Sequence, residues 1–113
     1  MKRDWDLIRI ILKKLHDEEF GDIVGYEQEM IDEHINLLQE ADLIQVGVSY
    51  EDGYTPLNTC RLTWQGHDFI ESAANEGLYK QAVQKAKAVG SVSFEIVKAV
   101  IAELAKQAIF GPS

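Results

Sequence analysis

Leu43-Ile44-Gln45-Val46-Gly47-Val48-Ser49-Tyr50 places Ile44, Val46, Val48 and Tyr50 on one face of an extended chain and Gln45, Gly47 and Ser49 on the other. A period of two is the mark of a strand with one covered face. Asp52-Gly53 and Pro56 signal a turn, and Thr59 to Thr63 returns as a second strand, so a hairpin with an eight-residue tip, Glu51 to Asn58, is predicted.

On both sides of this hairpin the period becomes helical. Upstream, Glu27 to Ala41 repeats apolar positions at Met30, Ile31, Ile35, Leu37 and Leu38, with His34 on the same stripe and the acids on the opposite face. Further upstream, Asp4 caps a helix over 4–18 whose stripe is Ile8, Ile11, Leu12 and Leu15, widened by Trp5, Leu7 and Ile10. Between the two helices, Phe20 to Tyr26 is short, β-branched and bounded by glycine, which predicts a brief edge strand. Downstream, Thr63 caps a helix carrying Trp64, Phe69 and Ile70; it is interrupted near Asn75-Glu76-Gly77, resumes through Leu78 to Ala86, and Gly90 terminates it. Ser91 or Ser93 caps a last helix, which Gly111-Pro112 ends. The expected fold is α+β: a core over 1–75 and a helical extension over 76–113, together one compact unit.

The chain has 113 residues, 11 basic and 19 acidic, and a net charge of −8, the composition of an ordinary soluble domain. Its lone Cys60 excludes an internal disulfide framework. No apolar run approaches the ~20 residues of a membrane span, and Met1-Lys2-Arg3 leads into an amphipathic helix rather than a signal peptide. A cytoplasmic protein without membrane contact is expected.

The charge is segregated. From Leu15 to Cys60 there is no Lys or Arg, while twelve acids fall in that stretch. For any single acid a solubilising role is the better reading, but a stretch this long without a cation points to an acidic face. Its candidate partner-binding residues are Glu27, Glu29, Asp32, Glu33, Glu51 and Asp52, on the second helix and the hairpin tip.

The order helix, short strand, helix, hairpin, helix is that of a winged-helix domain with a helical C-terminal extension. His34-Ile35-Asn36-Leu37-Leu38-Gln39-Glu40-Ala41-Asp42-Leu43-Ile44 resembles the end of the third helix and first wing strand of that superfamily, and Arg61-Leu62-Thr63-Trp64-Gln65-Gly66-His67 the junction after the wing. These two segments, with the opening Met1 to Arg9 and Ser93-Phe94-Glu95-Ile96-Val97-Lys98, resemble a domain-of-unknown-function family of small phage and prophage proteins. The resemblance covers nearly the whole chain and brings no catalytic or binding residue with it.

DNA reading by a helix-turn-helix needs one helix across the backbone and a second in the major groove. Only Tyr26 to Ala41 separates the edge strand from the end of the second helix, and it reads as one helix, so the crossing helix is missing. Both DNA-facing elements would turn carboxylates toward phosphates, removing the cationic contacts on which affinity rests. Direct nucleic-acid binding is therefore disfavoured; Lys80, Lys85 and Lys87, with Lys2, Arg3, Lys13 and Lys14, leave a patch elsewhere, better read as solvated helix faces.

No catalytic constellation is legible. Neither H-x-x-x-H nor C-x-x-C spacing occurs, so no metal site is expected. His34 reads as a half-buried packing residue, His67 as a surface or packing residue, and Cys60 as core rather than a nucleophile paired with His34. No phosphate loop or nucleophile elbow occurs, and no cofactor is implied. The expectation is a non-enzymatic regulatory or inhibitory module that docks on a basic surface of a protein partner, its acids imitating DNA charge; the alternative is a winged-helix transcription regulator that binds DNA. The last helix carries Val97, Val100, Ile101, Leu104 and Ala108 on an apolar face wider than one docking stripe, which predicts a homodimer through these residues.

Overall fold

Asp4 starts the first helix, α1 (Trp5–Asp17), by accepting the Leu7 N–H on its carboxylate at 3.0 Å, a cap worth about 1 kcal/mol. The inward stripe of α1 is fully covered: Leu7, Ile8, Ile11 and Leu12 have no exposed surface, each contributing about 1.5–3 kcal/mol on burial. Glu18 then enters the left-handed region at φ 54°, and its N–H closes on the Lys14 carbonyl to end the helix.

The computed structural model describes residues 3–90 and 92–110, with side chains as far as Gln107. The other elements are α2 (Gln28–Glu40), β1 (Ile44–Gln45), a single 3-10 turn (Leu57–Thr59), β2 (Arg61–Leu62), α3 (Trp64–Ser72), α4 (Glu76–Ala88) and α5 (Phe94–Phe110). β1 and β2 pair antiparallel, Ile44 opposite Leu62 and Gln45 opposite Arg61. The chain is thus mostly helical with a small two-stranded sheet, an α+β arrangement. Two compact units are separated between Ile70 and Glu71. In the first, α1 packs on α2 and β2, and α2 on β1. In the second, α4 packs on α5, burying Tyr79, Ala82, Val83, Ala86, Val97 and Ile101. Among the described residues no helix is long and apolar enough to cross a membrane.

Two predicted strands are corrected. Phe20 to Tyr26 forms no strand: the segment ends in a turn at Val24-Gly25, Gly25 at φ 93°, and among the described residues the sheet holds no third strand to pair with it. The hairpin is reduced to its base, since only Ile44 and Gln45 of the alternating run are paired. Beyond them no ladder continues, and turn bonds and side chains meet backbone polar groups instead. The Val48 N–H donates to Thr59 Oγ1 at 3.2 Å, and that hydroxyl donates to the Pro56 carbonyl at 2.9 Å. Val48 and Tyr50, predicted to face the core, are 42% and 58% exposed.

Candidate functional site

Asp32, on the polar side of α2, ties the helix to the loop that replaces the hairpin tip. Its Oδ1 accepts the Gln28 Nε2 at 3.0 Å and the Thr55 backbone N–H at 3.2 Å. The loop is shaped by its own bonds as well. The Tyr50 N–H donates to the Tyr54 carbonyl and the Gly53 N–H to the Tyr50 carbonyl, both at 2.9 Å. Asp52 Oδ1 accepts the Tyr54 N–H at 3.0 Å, two residues on, the side-chain turn that Asp favours.

Between α2 and this loop lies a groove of about 750 Å³. From α2 it is lined by Gln28, Glu29, Asp32, Glu33, Asn36 and Gln39, and from the loop by Ser49, Asp52 and Tyr54 among others. Four carboxylates thus share one concavity, and no Lys or Arg lines it. Tyr54, 39% exposed, lines the groove beside them, and the Tyr50 ring lies against it with centroids 6.0 Å apart. Carboxylates accept hydrogen bonds and tyrosine faces attract cations, so the surface is suited to guanidinium and ammonium groups.

Of the acids singled out from sequence, Glu29, Asp32, Glu33 and Asp52 come together here; Glu27, at the N-cap of α2, and Glu51 are exposed but do not line the groove. Gln28, Asn36, Gln39 and Tyr54 were not anticipated. The first three lie at the i, i+3, i+4, i+7 spacings of the acids, so the polar face of α2 held the signal.

The remaining candidates are placed as follows. His34 is fully buried rather than half-buried. Its Nε2 accepts the Asp4 backbone N–H at 2.9 Å, and its Nδ1 lies 2.8 Å from the Met30 carbonyl. With Nε2 accepting, Nδ1 carries the proton and donates within α2, so both nitrogens are satisfied and the Nε2 bond joins α2 to the start of α1. Cys60 is buried and its Sγ donates to the Pro56 carbonyl at 3.6 Å, so it is not paired with His34. Burial pushes its thiol up from the ordinary range, disfavouring the thiolate a nucleophile requires. On α5, Val97, Ile101 and Leu104 are buried within the single chain and Val100 is half-buried. Ala108 lies outside the residues whose side chains are described.

The family model described as "Hypothetical protein (DUF2513)" matches residues 2–93, a span that contains every groove residue. The chain belongs to this family. An uncharacterized protein of Haemophilus influenzae is 32% identical over 121 aligned positions, which cover 95% of this chain and 98% of that protein. No solved structure matches the chain.

Proposed function

We propose that this protein is a non-enzymatic module of winged-helix type, in the manner of small phage and prophage regulators or inhibitors, that docks on a basic surface of a partner protein through the groove between α2 and residues 46–55 and imitates the charge of DNA there. The observation that carries this reading is the meeting of Glu29, Asp32, Glu33 and Asp52, from two separate elements, on one concave surface without a basic residue. The succession of α1, α2, the β1–β2 base with its long connection, and α3 supports the winged-helix comparison. In that comparison, α2 and the connection stand where DNA would be met. Phosphates there would face carboxylates, whereas the arginines of a DNA-binding protein would face acceptors.

Each exposed pair contributes little alone, ~0–1 kcal/mol, so the charge acts mainly by steering and by excluding polyanions. Asp32 and Asp52 also hold the loop, which leaves Glu29 and Glu33 free of structural duty for substitution. The test is capture from bacterial lysate with immobilised wild type and with the Glu29→Gln, Glu33→Gln double variant. Basic proteins retained by the wild type and released by ~0.5 M salt should be lost with the double variant; an unchanged captured set would reduce the face to a solubilising surface.

A further inference from the structure

The two exposed histidines of the first unit meet across the fold. His16 stands in the last turn of α1 and His67 in the first turns of α3. Their rings meet edge to face, with centroids 6.0 Å apart and planes at 67°, and each offers a ring nitrogen within 4.8 Å of the other's. His16 Nδ1 lies 3.0 Å from Asp17 Oδ1, while Lys13 Nζ holds Asp17 Oδ2 at 2.7 Å. A carboxylate on Nδ1 fixes the imidazole tautomer and turns the Nε2 lone pair outward, which is the outer-shell arrangement of metal-bound histidines. On α3 itself Glu71 follows His67 by four residues, the spacing that sets two side chains on one helix face.

We propose that His16 and His67 form a clamp for a divalent transition-metal ion of the zinc and nickel class. A tetrahedral zinc with bonds of about 2.0–2.1 Å to nitrogen holds two imidazole nitrogens ~3.3 Å apart. The ring nitrogens already lie within 4.8 Å of each other, so rotation of two exposed side chains brings them toward that separation. Two nitrogen donors select zinc, copper or nickel over magnesium and calcium, which prefer oxygen. The clamp is also distinct from the acidic groove, which carries no imidazole. Because its two arms come from helices joined only by folding, the ion binds the native state and raises its stability. No motif announces the pair, since His16 and His67 lie 51 positions apart in the chain.

The test uses tag-free full-length protein titrated with ZnCl₂ and NiCl₂, followed by calorimetry and by thermal melting, with MgCl₂ as the oxygen-preferring control. Wild type should bind one equivalent saturably and melt at a higher temperature with zinc. His16→Gln and His67→Gln, both at exposed positions, should keep the metal-free melting temperature and each lose at least tenfold in affinity. Absence of saturable binding by the wild type would overturn the clamp. So would equal binding by wild type and both variants, since the metal would then sit on surface carboxylates.

Discussion

Gly66, in the first turn of α3, stands where no side chain fits: a Cβ there would fall 2.0 Å from the Leu43 carbonyl oxygen. That oxygen also accepts the Thr63 N–H at 3.0 Å, and Thr63 Oγ1 donates to the Asp42 carbonyl while accepting the Gly66 N–H at 3.0 Å. The start of α3 is therefore seated directly on the backbone leading into β1. Gly66→Ala should cost ~2–3 kcal/mol through overpacking, read as a lower denaturant midpoint at unchanged slope. Cys60 makes a second prediction. Its thiol is raised by burial, so the unfolded chain ionises first as pH rises. Stability is accordingly flat below the ordinary thiol range and falls as pH climbs through it. The native protein at pH 8 should react with a disulfide reagent orders of magnitude more slowly than the protein in denaturant; equal rates would mean that Cys60 is accessible.

Among the elements, the helices were legible because their burial follows a period near 3.6 and Asp4, Thr63 and Ser93 cap three of their starts. Asp4 accepts the Leu7 N–H at 3.0 Å, as its position suggested, and Asn75 accepts the Leu78 N–H at 3.0 Å in the same way. The break between α3 and α4 covers residues 73–75, ending on Asn75 of the Asn75-Glu76-Gly77 segment. The acidic groove was half legible: periodicity grouped Glu29, Asp32 and Glu33, but nothing local says that Asp32 reaches Thr55, 23 residues away. The alternation of Leu43 to Tyr50 misled because alternation reports what a face resembles, not whether a partner strand is present to pair with it. The end of α2 falls at Ala41 as the period indicated, but the backbone form that closes it was not foreseen. Asp42 takes φ 62°, its N–H bonding the Gln39 carbonyl and the Leu43 N–H the Leu38 carbonyl, both at 3.0 Å. This is the double-bonded helix end at which glycine is favoured. Asp42→Gly should therefore stabilise by about 0.5 kcal/mol, seen as a higher melting temperature, whereas Asp42→Val, strained at positive φ, should lower it.

For the whole molecule, the segregated charge is the feature that the elements do not require. The core closes on apolar side chains, and Glu29 and Glu33 are exposed without structural bonds among the described contacts. Neutralising both should leave the melting temperature unchanged or slightly higher, because like charges repel on one face. Function and stability are then separable by the same double variant. The most direct measurement is fluorescence anisotropy at ~50 mM salt with two labelled probes, an arginine-rich peptide and a random DNA duplex. The wild type should bind the peptide, weaken as salt rises, lose it on Glu29→Gln with Glu33→Gln, and leave the duplex free. Sub-micromolar duplex binding that falls steeply with salt, or peptide binding indifferent to the two substitutions, would contradict the account.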